Sequence, residues 1–219
     1  MKHARKSTFR KALLIACSAV LLVALSVGVT FAFLTSTKEV VNTFTVGKVA
    51  IDLDEAKVDE NGVADTTAAR VASNDYKLLP GHTYTKDPTV TVKKGSESSY
   101  VRLLVTVSKS SELDAIFAPA GANLTSIFNG YDAANWTLAS NKKNDDNTRT
   151  YEFRYKETVA APTADVKLDA LFDSITVPGS VTNAQLATIE GMKITIVAQA
   201  IQADGVSTAD LAWAAFPAT

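Results

Sequence analysis

The sequence predicts an all-β protein, a two-sheet β-sandwich of jelly-roll-like topology with short connecting helices and an N-terminal signal helix. Three observations carry that expectation. A basic run precedes a long uncharged apolar stretch, several later segments place apolar residues at every second position, and turn chemistry separates them. The 219 residues are 47% hydrophobic and 21% charged, a balance that excludes wholesale disorder and a polytopic membrane protein.

The first element is the apolar stretch. Lys2, Arg5, Lys6, Arg10 and Lys11 stand before Ala12–Leu34, which contains no charge. Positive cluster, apolar run and polar chain, in that order, are what export machinery reads, so residues 1–32 are expected to be a signal peptide. Thr30 and Ala32 suit the narrow pockets of a signal peptidase, which places the start of the mature chain at Phe33 and assigns 33–219 to one secreted domain. A stretch of about 20 apolar residues can span a bilayer, so membrane contact is expected only before cleavage. Leu14-Ile15-Ala16-Cys17 resembles a lipoprotein box, but too little apolar chain lies before Cys17 and too much after it. With those five basic residues removed, 17 of the 22 remain against 23 acidic ones, a net −6 that argues against a nucleic-acid partner. Cys17 is the single cysteine, which excludes a disulfide framework and a cysteine-based zinc or catalytic site downstream.

Strand signals begin at Asn42. Phe44 and Val46, then Val49, Ile51 and Leu53, point to one side, with a change of phase at Gly47 that suits a bulge or bend. Thr89–Lys94, Tyr100–Lys109, Tyr151–Lys156, Ser174–Val177 and Met192–Gln202 repeat the two-residue period. Asp59–Gly62, Leu79-Pro80-Gly81, Lys94-Gly95-Ser96, Asn141–Asn147 and Pro178-Gly179 read as turns. Helical signals are confined to Ala164–Phe172, to the stretch after Thr182 with Gln185 three residues on, and to the stretch after Ser207 with Asp210 three residues on. Seven to nine short strands with helices only in connections and near the C-terminus give the sandwich; an immunoglobulin-type strand order is the alternative.

Catalytic chemistry is sparse. His3 and His82 are the two histidines, so neither an HExxH motif nor a two-histidine metal site is available in the mature chain, and no G-x-S-x-G elbow accompanies His82. Oxygen ligands cluster at Asp54, Glu55, Asp59 and Glu60 and at Asn144–Asn147, but neither group has the spacing of a calcium-binding loop. No metal, no cofactor and no enzymatic activity are expected.

Several blocks resemble the TasA/camelysin family. Thr30-Phe31-Ala32-Phe33-Leu34-Thr35 followed by Asn42–Val49 resembles a SipW-type signal peptide running into its first mature strand. Leu79-Pro80-Gly81, Lys86-Asp87-Pro88, Val90-Thr91-Val92 and Tyr100-Val101-Arg102 are similar to the family's central block, and Ala198–Gly205 leading to Ala212-Trp213 to its C-terminal block. Residues 113–169 fall outside the resemblance and read as an elaborated insertion. The resemblance implies a secreted jelly-roll subunit of Gram-positive extracellular-matrix (biofilm) or cell-surface fibres, trimmed by a dedicated signal peptidase and partnered by itself and by other matrix proteins. Some relatives are called metalloproteases; the histidines that activity requires are missing here.

β-Strand addition is the physical route to such a fibre, because an open sandwich edge carries unpaired N–H and C=O groups that a strand from the next subunit can fill. Residues 33–45, freed by cleavage, are the expected donor, with Phe33, Leu34, Val40, Val41 and Phe44 as its apolar contacts. An adhesin or carbohydrate-binding module would instead use Tyr131, Trp136, Tyr151 and Tyr155 as stacking surfaces. Trp213 is expected to plug the end of the sandwich. No LPxTG-type sorting signal stands before Ala218-Thr219, so covalent attachment to a cell wall is not expected.

Overall fold

Alternating apolar residues become strands wherever the opposite strand supplies a ladder. A computed structural model of the chain describes residues 11, 13–22, 46–117 and 128–216. The chain divides into two units, Met1–Thr45 and Val46–Thr219. In the first, residues 13–22 form helix α1, whose Leu13, Leu14, Ile15, Val20, Leu21 and Leu22 are exposed. Among the described residues no helix is long and apolar enough to cross a membrane.

The second unit is mostly β. Its strands are β1 (Ile51–Asp54), β2 (Thr83–Thr85), β3 (Thr89–Val92), β4 (Ser99–Val107), β5 (Phe128–Asn129), β6 (Trp136–Lys143), β7 (Arg149–Tyr155), β8 (Val166–Lys167), β9 (Ser174–Thr176) and β10 (Ile194–Gln202). Among the described residues three helices follow α1: α2 (Ser110–Phe117), α3 (Asn183–Thr188) and α4 (Ala209–Ala215). Among the described residues all pairings are antiparallel and form three sheets, β1-β3-β8, β10-β4-β7-β6 and β2-β9-β5, where two were predicted.

Hydrogen bonds join two of these sheets into one layer. Between the β2·β9 and β3·β8 ladders, Lys86 N–H donates to Asp173 (3.0 Å), Leu171 N–H to Pro88 (3.1 Å) and Leu168 N–H to Val90 (2.9 Å). The two ladders are therefore the ends of one ribbon, interrupted at Pro88, which has no N–H to give. This layer runs β1, β2/β3, β8/β9, β5 and faces β10-β4-β7-β6 in a sandwich-like arrangement. Val90 and Val92 of one layer and Val101, Leu103, Val105, Val107, Tyr151 and Phe153 of the other are buried together. Phe128 meets Tyr151 edge-on across the layers at 6.3 Å.

Four local expectations need correction. Ala164–Phe172 is extended rather than helical, because its backbone bonds to Pro88 and Val90 and its Leu168, Leu171 and Phe172 enter the core. Asn141–Lys143 continue β6, so the turn is only Asn144–Asn147, with Asn147 left-handed at φ 61°. α2 forms where no helix was expected, burying Leu113, Ile116 and Phe117 at helical spacing. The cap of α4 is Thr208 rather than Ser207, accepting from Leu211 N–H, whereas the Thr182–Gln185 capping box of α3 stands as predicted. Residues 113–169 contribute α2 in part and β5 to β8, with Trp136, Tyr151 and Phe153 in the core.

Candidate functional site

The candidate site is the outer edge of β10. This strand pairs with β4 over its whole length, from Ile194↔Val107 to Gln202↔Ser99, without a bulge. Ser108 N–H donates to Lys193 (3.0 Å) and Ala203 N–H to Ser98 (2.7 Å). Bonded positions alternate in an antiparallel ladder, so the odd-numbered residues bond to β4, while Ile194, Ile196, Ala198, Ala200 and Gln202 turn N–H and C=O outward. Among the described residues no strand pairs with that side. The same alternation aims Ile194, Ile196, Ala198 and Ala200 toward the core, where they are only partly buried. Backbone valence and apolar surface are thus both incomplete along one line. Nothing in Ile194–Gln202 guards it: the strand contains no charge, proline or glycine.

Beyond this edge a groove opens between β10 and β1, lined by Leu53, Ile194 and Ile196 and floored by charge. Lys86 Nζ meets Glu55 Oε2 at 2.5 Å, with both residues buried. Asn74 Nδ2 donates to Glu55 Oε1 (2.9 Å) and to the Ala56 carbonyl (2.8 Å), and Val58 N–H donates to Asn74 Oδ1 (3.0 Å). Arg70 clamps the neighbouring strand ends, reaching Asp54 at 2.5 Å, Asp87 at 2.7 Å and Thr89 Oγ1 at 3.0 Å. Burial, with the Glu55 charge adding to it, pushes the Tyr76 phenol well above its ordinary range. Removing one partner of a buried ion pair such as Lys86–Glu55 costs about 3–5 kcal/mol, because the other is left uncompensated.

Thr30, Ala32, Phe33, Leu34, Val40, Val41 and Phe44, the predicted cleavage and strand-donor residues, lie outside the described residues. The described domain begins at Val46, which is 97% exposed. Beside it, the Lys48 carbonyl accepts from Glu97 N–H at 2.8 Å, near the end of the sandwich where β10 terminates.

Several of the remaining candidates are occupied by structural work. Asp54 and Glu55 are taken by Arg70 and Lys86, Asp59 accepts from the Asn61 and Val63 N–H groups of its own turn, and Asp146 accepts from Thr148. Trp136 is 1% exposed and donates through Nε1 to Asp169, and Tyr151 is buried, which pushes its phenol up to about 12. Neither offers a stacking surface. Trp213 does not plug the end of the sandwich: it lies 4.4 Å from the Arg102 guanidinium, on the outward side of β4. His82 is exposed in the Leu79–His82 turn. The open β10 edge was missed in the sequence, where Met192–Gln202 read only as a strand; its one available signal was a long apolar strand with no gatekeeping charge.

No family model, no curated protein and no solved structure matches this chain.

Proposed function

We propose that this protein is a secreted, non-enzymatic structural subunit of extracellular-matrix or cell-surface fibres, assembling by β-strand complementation after its signal peptide is removed. The observation that carries the reading is the β10 edge, with an outward row of main-chain groups over half-covered Ile194, Ile196, Ala198 and Ala200. A donor strand completes both at once: its main chain bonds to the even-numbered residues, and its inward side chains cover the exposed flank of the core. In an extended segment 33–45, strand period puts Leu34, Val40 and Phe44 on one face, which matches that requirement. Phe33 and Val41 lie on the other. The segment becomes available once peptidase cleavage before Phe33 detaches it from the apolar helix, so cleavage acts as the assembly switch.

A jelly-roll-like fold is part of the same reading. The pairs β6·β7, β5·β9 and β4·β10 are nested in sequence, and consecutive pairs alternate between the layers, as in one long hairpin rolled around a core. Self-association and contact with other matrix components are the partners this reading requires, with signal peptidase as a transient one.

The test is N-terminal sequencing of the natively secreted protein together with electron microscopy of the same material. A start at Phe33 with filaments that are lost when the chain is shortened to begin at Asn42 is the expected result. An uncut apolar segment in the membrane fraction, or a cleaved protein that stays monomeric, overturns the reading.

A further inference from the structure

The floor of the groove has the parts of a reactive centre. Glu55 bridges a lysine amine and a side-chain amide: Lys86 Nζ is 2.5 Å from Oε2, and Asn74 Nδ2 is 2.9 Å from Oε1. Lys86 and Glu55 are 7% and 5% exposed, so water is largely excluded from the pair, and the Tyr76 ring lies 5.7 Å from Nζ. The Asn74 carbonyl oxygen is held by Val58 N–H at 3.0 Å. This donor polarises the carbonyl carbon and stabilises negative charge developing on its oxygen.

We propose that Asn74 and Lys86 are joined by an intramolecular isopeptide bond, formed by the protein itself with Glu55 as proton shuttle. Lys86 Nζ gives a proton to Glu55 Oε2 and, as the free amine, attacks Cγ of Asn74. Negative charge on Oδ1 is met by Val58 N–H. Glu55, through Oε1, returns protons to Nδ2, the Cγ–Nδ2 bond breaks, and its electron pair leaves with the nitrogen. Of the three protons on the lysine ammonium, one stays on the new amide nitrogen and two leave with the departing NH2 as ammonium, so Glu55 ends as the carboxylate it began. No oxidant, metal or cofactor enters the balance. Proximity of three preplaced groups supplies the rate. The product ties the long excursion between β1 and β2 to the ribbon at Lys86, next to the edge that receives a donor strand. This inference does not depend on fibre formation.

Intact-mass spectrometry of the folded, purified protein tests it, read against the mass calculated from its sequenced N-terminus. The expected deficit is one ammonia, about 17 Da, with a branched peptide joining Asn74 to Lys86 after proteolysis. Asn74→Ala, Lys86→Arg and Glu55→Gln are each expected at their full calculated mass. Full mass in the unsubstituted protein overturns the proposal, whether or not the variants fold. A deficit that persists in Lys86→Arg overturns it too, since Asn74-Asp75 then cyclises on its own, and a deficit of one water, about 18 Da, overturns it by placing the link on Glu55.

Discussion

The two outer strands of the four-stranded sheet are treated in opposite ways. β6 is interrupted by a bulge between Leu138 and Ser140, carries Lys142 and Lys143, and buries only Trp136. β10 runs nine residues in unbroken register, carries no charge, and keeps its inward side chains half-covered. A bulge and lysines are the devices by which a sheet edge is closed to other chains, and only one of the two edges has them. The difference teaches that openness at β10 is selective: the same sheet that carries a bulge and lysines on one side has neither on the other.

Blocking β10 should have the largest effect. Ala198 points its N–H outward, so Ala198→Pro removes an edge donor while sparing the bonds to β4. Filaments should disappear in electron micrographs while circular dichroism still reports a folded monomer; the matching Asn141→Pro change on β6 should leave filaments intact. Loss of filaments in both variants would break the comparison. Because the proposed β10 contact is main-chain and apolar, filament yield should change little between low and high salt.

The next effect concerns how each edge is anchored. Trp136→Ala empties the one buried position of β6 and should cost about 3–5 kcal/mol in urea unfolding of the monomer. Ile196→Ala, at an edge still half open, should cost the monomer no more than about 2 kcal/mol, the lower end for buried isoleucine. Under the proposed assembly its cost should rise, because a donor strand would complete its burial.

Acid gives the smallest effect and sharpens the contrast. Side-chain and backbone hydrogen bonds from Thr148 hold the Asp146 carboxyl below its ordinary 3.8, and one from Asn147 holds Glu112 below its ordinary 4.5. Folded-state pKa values below the unfolded ones mean the contribution is complete above those ordinary values and fades as pH falls through the lowered ones. Hydrogen-exchange protection around Asn144–Thr148 should therefore hold above pH 4.5 and drop as the pH falls below 3.8. Protection in Ile194–Gln202, which holds no ionisable side chain, should show no comparable drop.

Strands β3, β4, β7, β9 and β10 were legible because each carries its own two-residue period, and the α3 cap because Thr182 and Gln185 sit at the spacing a capping box requires. Ala164–Phe172 was misread because Leu168, Leu171 and Phe172 also fit a helical spacing, and only the β2/β3 strand running beside them decides between the two. The candidate site was half legible. An uncharged strand over Met192–Gln202 could be read, but an edge is a relation between strands, and no local pattern says which neighbour is missing.

What the sequence alone determined is local: charge order at the N-terminus, the period of each strand, the turn residues, and the absence of a two-histidine or cysteine site after residue 32. What the tertiary structure decided is adjacency. It joined two ladders through the ribbon broken at Pro88 and set Glu55 between Asn74 and Lys86, residues 19 and 31 positions away. Among the described residues it also left β10 with a strand partner on one side only. The physical reason is that periodicity is written by neighbours in the chain, whereas satisfaction of backbone and buried polar groups depends on partners that folding brings from far away.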